Sequence, residues 1–141
     1  MYKRILVPSD GSESSRHALT AALGLARKFD SEVELFHVTQ NQLAYYGYNE
    51  GFTNTIDPDL IKKNGEQALE FALKGIDIRD VRFSKKHVSG NPAESILDEI
   101  KREFDLVIMG TRGHSTITGA ILGSVTQRVL ANSFCPILVV R

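Results

Sequence analysis

The 141-residue sequence has no tryptophan, one cysteine and four prolines, and its charges cancel, 17 Lys and Arg against 17 Asp and Glu. A chain without net charge lacks the basic field that nucleic-acid binders and membrane-surface proteins carry, so neither nucleic acid nor a lipid surface is expected as a partner. The lone thiol, Cys135, forms no internal disulfide and has no second cysteine for a zinc pair. It reads as a small buried apolar residue, with a reactive thiol as the alternative. Long hydrophobic runs are also missing. Pro136-Ile137-Leu138-Val139-Val140 falls far below the ~20 residues of a spanning helix, so no membrane insertion is expected. The opening apolar stretch, Ile5-Leu6-Val7, is too short for a signal-peptide core of ~7–15 residues, which points to a cytoplasmic protein.

What is present suits a packed core: 42% apolar and 24% charged residues, near the globular average. The length fits one domain of ~100–200 residues, expected to span 1–141. Ile5–Val7, Val33–Val38, Leu106–Met109 and Ile137–Val140 are short apolar runs, as expected of strands buried on both faces of a parallel sheet. A fifth run, Val81–Val88, alternates apolar and polar residues before Lys85 and Lys86 and suits an edge.

Between the strands the period becomes helical. Ala18, Ala22, Leu25 or Ala26, and Phe29 share one face; so do Ala93, Ile96 or Leu97, Ile100 and Phe104, and later Leu122, Val125 and Val129. A helix from about Pro58 to Lys74 is supported by Ile61, Ala68, Leu69 and Ala72, although Gly65 weakens it by roughly 1 kcal/mol relative to Ala. Asn91, Pro92 and Glu94 give the clearest helix start, an N-cap followed by proline at the first helical position. Strictly alternating strands and helices imply an open parallel sheet with helices on both faces. Gln40 to Ile56 exceeds an ordinary connection and holds Tyr45, Tyr46 and Tyr48; it is either a lid or partner surface, or a loop without a dedicated role.

Ligands of such sheets bind beyond the carboxyl ends of the strands, where strand order reverses. The first strand runs into Pro8-Ser9-Asp10-Gly11-Ser12, and an Asp there can hold a ribose hydroxyl or a metal ion, or merely cap the turn and helix. The fourth runs into a glycine-rich stretch from Gly110 to Thr126, whose exposed backbone N–H groups near a helix start would cradle an anion. It is neither the P-loop nor the dinucleotide fingerprint, since neither spacing occurs. Among the histidines, His37 reads as a packed or capping residue, His17 and His87 have no ligand partners at metal spacing, and His114 reads as a loop residue beside the glycines.

Gly110-x2-Gly113-x9-Gly123-Ser124 resembles, in residue type and spacing, the glycine motif of the ATP-binding branch of the universal stress protein family (UspA-like). The opening Ile5–Ser12, the segment Gly90–Ile96 and the closing Cys135–Val140 are similar to the same family, so the resemblance covers essentially the whole chain. It implies an α/β fold, an open five-stranded parallel sheet in the order 3-2-1-4-5 with helices on both faces, Rossmann-like. It implies ATP or another adenine nucleotide as ligand, with Mg²⁺ or Mn²⁺ on the phosphates and Asp10 or Ser124 nearby. Pro8 would help wall the pocket, Ser9 and Met109 would also belong to the nucleotide site, Asp10 would meet the ribose or a metal-bridged phosphate, and Val38 would offer backbone groups to adenine. Gly110, Thr111, Arg112 and Gly113 would bracket ribose and phosphates, and Gly123, Ser124, Val125 and Thr126 would hold the phosphate tail. Arg112 adds a charge-assisted bond or is a solvent-facing loop residue.

The function implied is a nucleotide-dependent regulatory module of the stress response with an unidentified protein partner. The alternatives are a slow ATPase or phosphotransferase in the same pocket, and an interaction protein that uses no nucleotide. The apolar last strand, a sheet edge in the implied order, points to a homodimer through 137–141.

Overall fold

Three adjacent residues without polar side chains, Ile5-Leu6-Val7, open the sheet, and all three are fully buried, each worth about 1.5–3 kcal/mol of burial. They belong to β1 (Arg4–Pro8), followed by α1 (Glu13–Phe29), β2 (Glu32–Gln40), α2 (Pro58–Leu73), β3 (Arg82–Gly90), α3 (Pro92–Ile100), β4 (Leu106–Gly110), α4 (Ser124–Asn132) and β5 (Ile137–Val140). This computed structural model describes residues 1–40, 57–111 and 122–141. The strands pair in parallel in the order β3-β2-β1-β4-β5, as the alternating sequence and the family resemblance imply.

Two apolar clusters sandwich the sheet. Ile5, Val7, Val33, Leu35 and Ile108 face α1 and α2, while Leu6, Phe36, Val107 and Met109 face α3 and α4. Strand alternation produces the division, because neighbouring residues point to opposite faces.

The helix starts follow their caps. Ser12 accepts from the Ser15 N–H at the head of α1, and Asn91 accepts from the Glu94 N–H at 3.1 Å at the head of α3. Some details depart from the periodic reading. Phe29 is 43% exposed, because α1 turns at Asp30 and leaves the ring edge-on to Tyr2. Helix α3 ends at Ile100, and Phe104 reaches the core from the following turn, where the Arg4 guanidinium lies 4.4 Å from its ring centre. Strand β5, expected to be buried on both faces, is only half-buried, with Leu138 41% exposed, since β4 covers one side alone. Cys135 is likewise half-buried against the α3/α4 cluster, and burial pushes its thiol up, away from the reactive thiolate.

Candidate functional site

Sheet order reverses between β1 and β4, so the chain leaves these neighbouring strands in different directions and a crevice opens beyond their ends. A cavity of roughly 400 Å³ occupies that crevice, inside the ~300–1,000 Å³ range of small-molecule sites. β1 and its turn contribute Pro8, Ser9 and Asp10; β4 contributes Met109 and Gly110; the head of α4 contributes Gly123, Ser124, Val125 and Thr126; and β2 contributes Val38. All were expected at the site. Thr111 lies beside this lining, tied through its N–H to the Val140 carbonyl at 2.9 Å and through its carbonyl to the Gly123 N–H at 2.7 Å. Arg112, Gly113, His114 and the 41–56 segment lie outside the described residues.

The sequence reading missed Ser15, Phe36, Gln40, Pro92 and Ile96, which also line the cavity. Phe36 was recoverable, because it shares a face with Val38 at a spacing of two. Pro92 and Ile96 were not, since nothing local states that α3 leans over the end of β2.

The turn after β1 is rigidly held. The Ser12 N–H donates to Asp10 Oδ1 at 2.9 Å, closing a one-side-chain turn around Gly11, whose φ of +80° suits a residue without Cβ. Ser9 Oγ lies 3.2 Å from Ser15 Oγ, and the Ser15 hydroxyl donates to the Ser12 carbonyl at 2.8 Å. The Ser9 backbone N–H donates to the Phe36 carbonyl at 2.8 Å, while its carbonyl accepts from His37 Nδ1 at 2.7 Å. Across the cleft, a Cβ on Gly110 would collide with Ser14 and with the backbone of Ser15, so this glycine lets α1 close against the end of β4. Thr126 Oγ1 donates to the Gly110 carbonyl at 2.9 Å and locks α4 to the same strand end.

Helix α4 begins at Ser124, after the N-cap Gly123, which offers no side-chain cap. The amides of its first turn therefore stand at the cavity wall with the positive end of the helix dipole, an arrangement suited to an anion. Asp10 is the one titratable side chain among the described lining residues. Among the described residues no group of three or more His, Cys, Asp or Glu could hold a metal, so any divalent ion here would take most of its ligands from a phosphate chain and water.

His37 and His87 face each other in the β2–β3 register, their rings stacked with centroids 5.8 Å apart. His87 Nε2 lies 2.6 Å from Thr39 Oγ1, and burial followed by the neighbouring His37 lowers its pKa. The His87 ring fills the space above Gly65, where a Cβ would overlap it. The helix-weakening glycine of α2 thus makes room for an imidazole.

A second polar cluster sits at the opposite end of the strands. Lys86 Nζ donates to both oxygens of Glu99, at 3.0 and 2.8 Å, and the Glu99 side chain is only 8% exposed. Beside it, Glu34 Oε1 is buried with no hydrogen-bond partner among the described residues. Burial, then the hydrogen bond and like charge of Glu99, push the Glu34 carboxyl up to about 7, against the pull of Lys86 and Arg4. Protonated, Glu34 satisfies the orphaned oxygen by donating to Glu99.

Fold and cleft together define a doubly wound α/β protein with its pocket at the sheet's switch point. The universal stress protein family model matches residues 1–141, and the chain belongs to that family. It is 34% identical over 142 residues to universal stress protein MJ0531 of Methanocaldococcus jannaschii, covering 100% of this chain and 83% of that protein. It is also 34% identical over 149 residues to universal stress protein YxiE of Bacillus subtilis, covering all of both. Universal stress protein UspA from Lactobacillus plantarum shares the fold, with a TM-score of 0.78 at 22% identity over 99% of this chain and 98% of that one. Two further neighbours of the same fold, each with a TM-score of 0.66, were solved with nucleotides. One is a universal stress protein in complex with cAMP, at 23% identity over 99% of this chain and 97% of that one. The other, from Archaeoglobus fulgidus, is in complex with dAMP, at 19% identity over 99% and 98%. Among the described residues no helix is long and apolar enough to cross a membrane.

Proposed function

We propose that this chain is an ATP-binding regulatory module of the stress response, which reports its nucleotide state to a protein partner. The observation that carries the reading is the head of α4, whose N-cap Gly123 has no side chain to cap it, at one wall of the switch-point cavity, with Asp10 at the other. An anion at the helix amides and a hydroxyl-bearing sugar at a carboxylate are the two halves of a nucleotide. The cAMP and dAMP complexes of two fold neighbours support the adenine nucleotide as ligand class. Pro8, Met109, Phe36 and Ile96 supply the apolar walls a base requires. Mg²⁺ or Mn²⁺ would ride on the phosphates, with Asp10 or Ser124 supplying an oxygen ligand and the ion neutralising phosphate charge. Binding rather than turnover fits a lining whose one described titratable group already holds the Ser12 N–H.

The same proposal includes a homodimer through 137–141. Strand β5 is the sheet edge, its Leu138 is 41% exposed, and the preceding segment carries two further exposed apolar side chains, Leu130 and Phe134.

The test is to denature purified protein, identify any released nucleotide by chromatography, and titrate the stripped protein with ATP and Mg²⁺ by calorimetry. Stoichiometric binding, weakened at least about tenfold in Asp10→Asn, is expected; that change keeps the turn to Ser12 and removes one charge-assisted contact. Folded wild-type protein that binds no adenine nucleotide refutes the reading.

A further inference from the structure

We propose that His37 is a positioning residue for this cleft: its imidazole ends the β1–β2 ladder and thereby leaves the Val38 backbone N–H to the ligand. The inference rests on the nucleotide reading above and deepens it.

In a parallel pair, a residue of one strand receives and donates bonds on the two residues that flank its partner. The register runs from Arg4↔Glu32 to Pro8↔Phe36 and goes no further. The Ser9 N–H donates to the Phe36 carbonyl at 2.8 Å, which is one half of the next ladder step. The other half would be Val38 N–H to the Ser9 carbonyl. Among the described residues that carbonyl instead takes its hydrogen from His37 Nδ1, at 2.7 Å.

A carbonyl only accepts, so Nδ1 carries the hydrogen. Because residues 36 and 38 share one edge direction along β2, the Val38 N–H is aimed at the position beyond Ser9 where β1 has turned away, and Val38 lines the cavity there. The imidazole comes from the opposite face of the sheet, where the stack on His87 fixes its plane. It therefore satisfies Ser9 without entering the pocket. Without it, the carbonyl of the buried Ser9 would lose its partner among the described residues, and the β1–β2 register makes the Val38 amide the next ladder donor to it.

Two substitutions separate this role from packing. His37→Phe keeps a ring against His87 and removes the donor; His37→Asn places a side-chain N–H near the Nδ1 position. ATP titrations by calorimetry and backbone amide exchange by NMR are run on wild type and both variants. The expected result is about a tenfold loss of ATP affinity in His37→Phe, the worth of one hydrogen bond, and recovery to within about threefold of wild type in His37→Asn. The Val38 amide is expected to exchange freely in nucleotide-free wild type, to be protected on ATP binding, and to be protected without ATP in His37→Phe. Unchanged ATP affinity in His37→Phe, equal losses in both variants, or a Val38 amide already protected in nucleotide-free wild type would each overturn the inference and leave the nucleotide reading standing. Wild type that binds no ATP overturns both. If His37→Phe does not fold, the wild-type Val38 exchange and the His37→Asn affinity decide alone.

Discussion

Glu34→Gln is expected to make the protein more stable at pH 8 and to leave it unchanged at pH 4.5. The wild-type carboxyl titrates at about 7 in the folded protein in place of 4.5, chiefly because it is buried and then because it faces Glu99. Between those values the folded state holds a proton that the unfolded state has released. Folding stability contributed by this group is therefore complete below pH 4.5, falls as pH rises to 7, and stays at its lower level above. At about 1.4 kcal/mol per tenfold the full difference is about 3 kcal/mol, and screening of a half-buried carboxyl by water reduces it to about 1–2 kcal/mol. Glutamine mimics the protonated acid at every pH, since its amide donates to Glu99 as the acid's O–H does.

The assay is the thermal midpoint of both proteins from pH 4.5 to 8. A domain of this size shifts by about 3–4 °C per kcal/mol, so the curves should coincide at the acid end and separate by about 3–8 °C at pH 8. Comparing the two proteins cancels the other carboxylates. Parallel curves across the range would refute the protonated Glu34–Glu99 pair.

Lys86→Met strands the buried Glu99 carboxylate and should cost about 3–5 kcal/mol by denaturant titration, far more than the loss of an exposed pair such as Lys101–Asp98. Gly65→Ala should destabilise by about 1–3 kcal/mol despite its better helix propensity, because the new methyl meets the His87 ring, and His87→Ala in the same chain should relieve most of that cost. Gly110→Ala forces the first turn of α1 off β4, so it should both lower the thermal midpoint and weaken ATP binding, whereas Asp10→Asn should affect binding alone. Leu138→Glu places charge on the outer strand, and under the proposed homodimer sedimentation should report a dimer for wild type and a monomer for the variant.

Sequence reading reached these elements unevenly, for a physical reason. Apolar period names the face a residue shares, so Ile5, Leu6 and Val7, the Asn91 cap and the strand ends carrying Asp10 and Gly110 were legible from neighbours alone. Period does not name the partner across a gap. Ser9 and His37 are 28 residues apart and meet only because β1 and β2 pair at one register. Gly65 read as a weak point in a helix until the ring of His87, on another element, filled its space.

The alternation of β2 then explains how one strand serves two chemistries. Glu34, Phe36 and Val38 share the face under α3, and they run from the carboxyl pair at one end of the sheet to the cavity at the other. Phe36 between them is 1% exposed and packs with Leu6 and Val107, so a dry apolar layer separates the titrating carboxyl from the cleft. His37, one residue on, points to the other face, and its ring controls the cleft through the Ser9 carbonyl. A strand that had slipped by one residue would bring both Glu34 and His37 to the wrong faces and would lose the Phe36 barrier with them. The register of β2 against β1 thus fixes the core, the proton-holding pair and the backbone that faces the pocket in a single alignment.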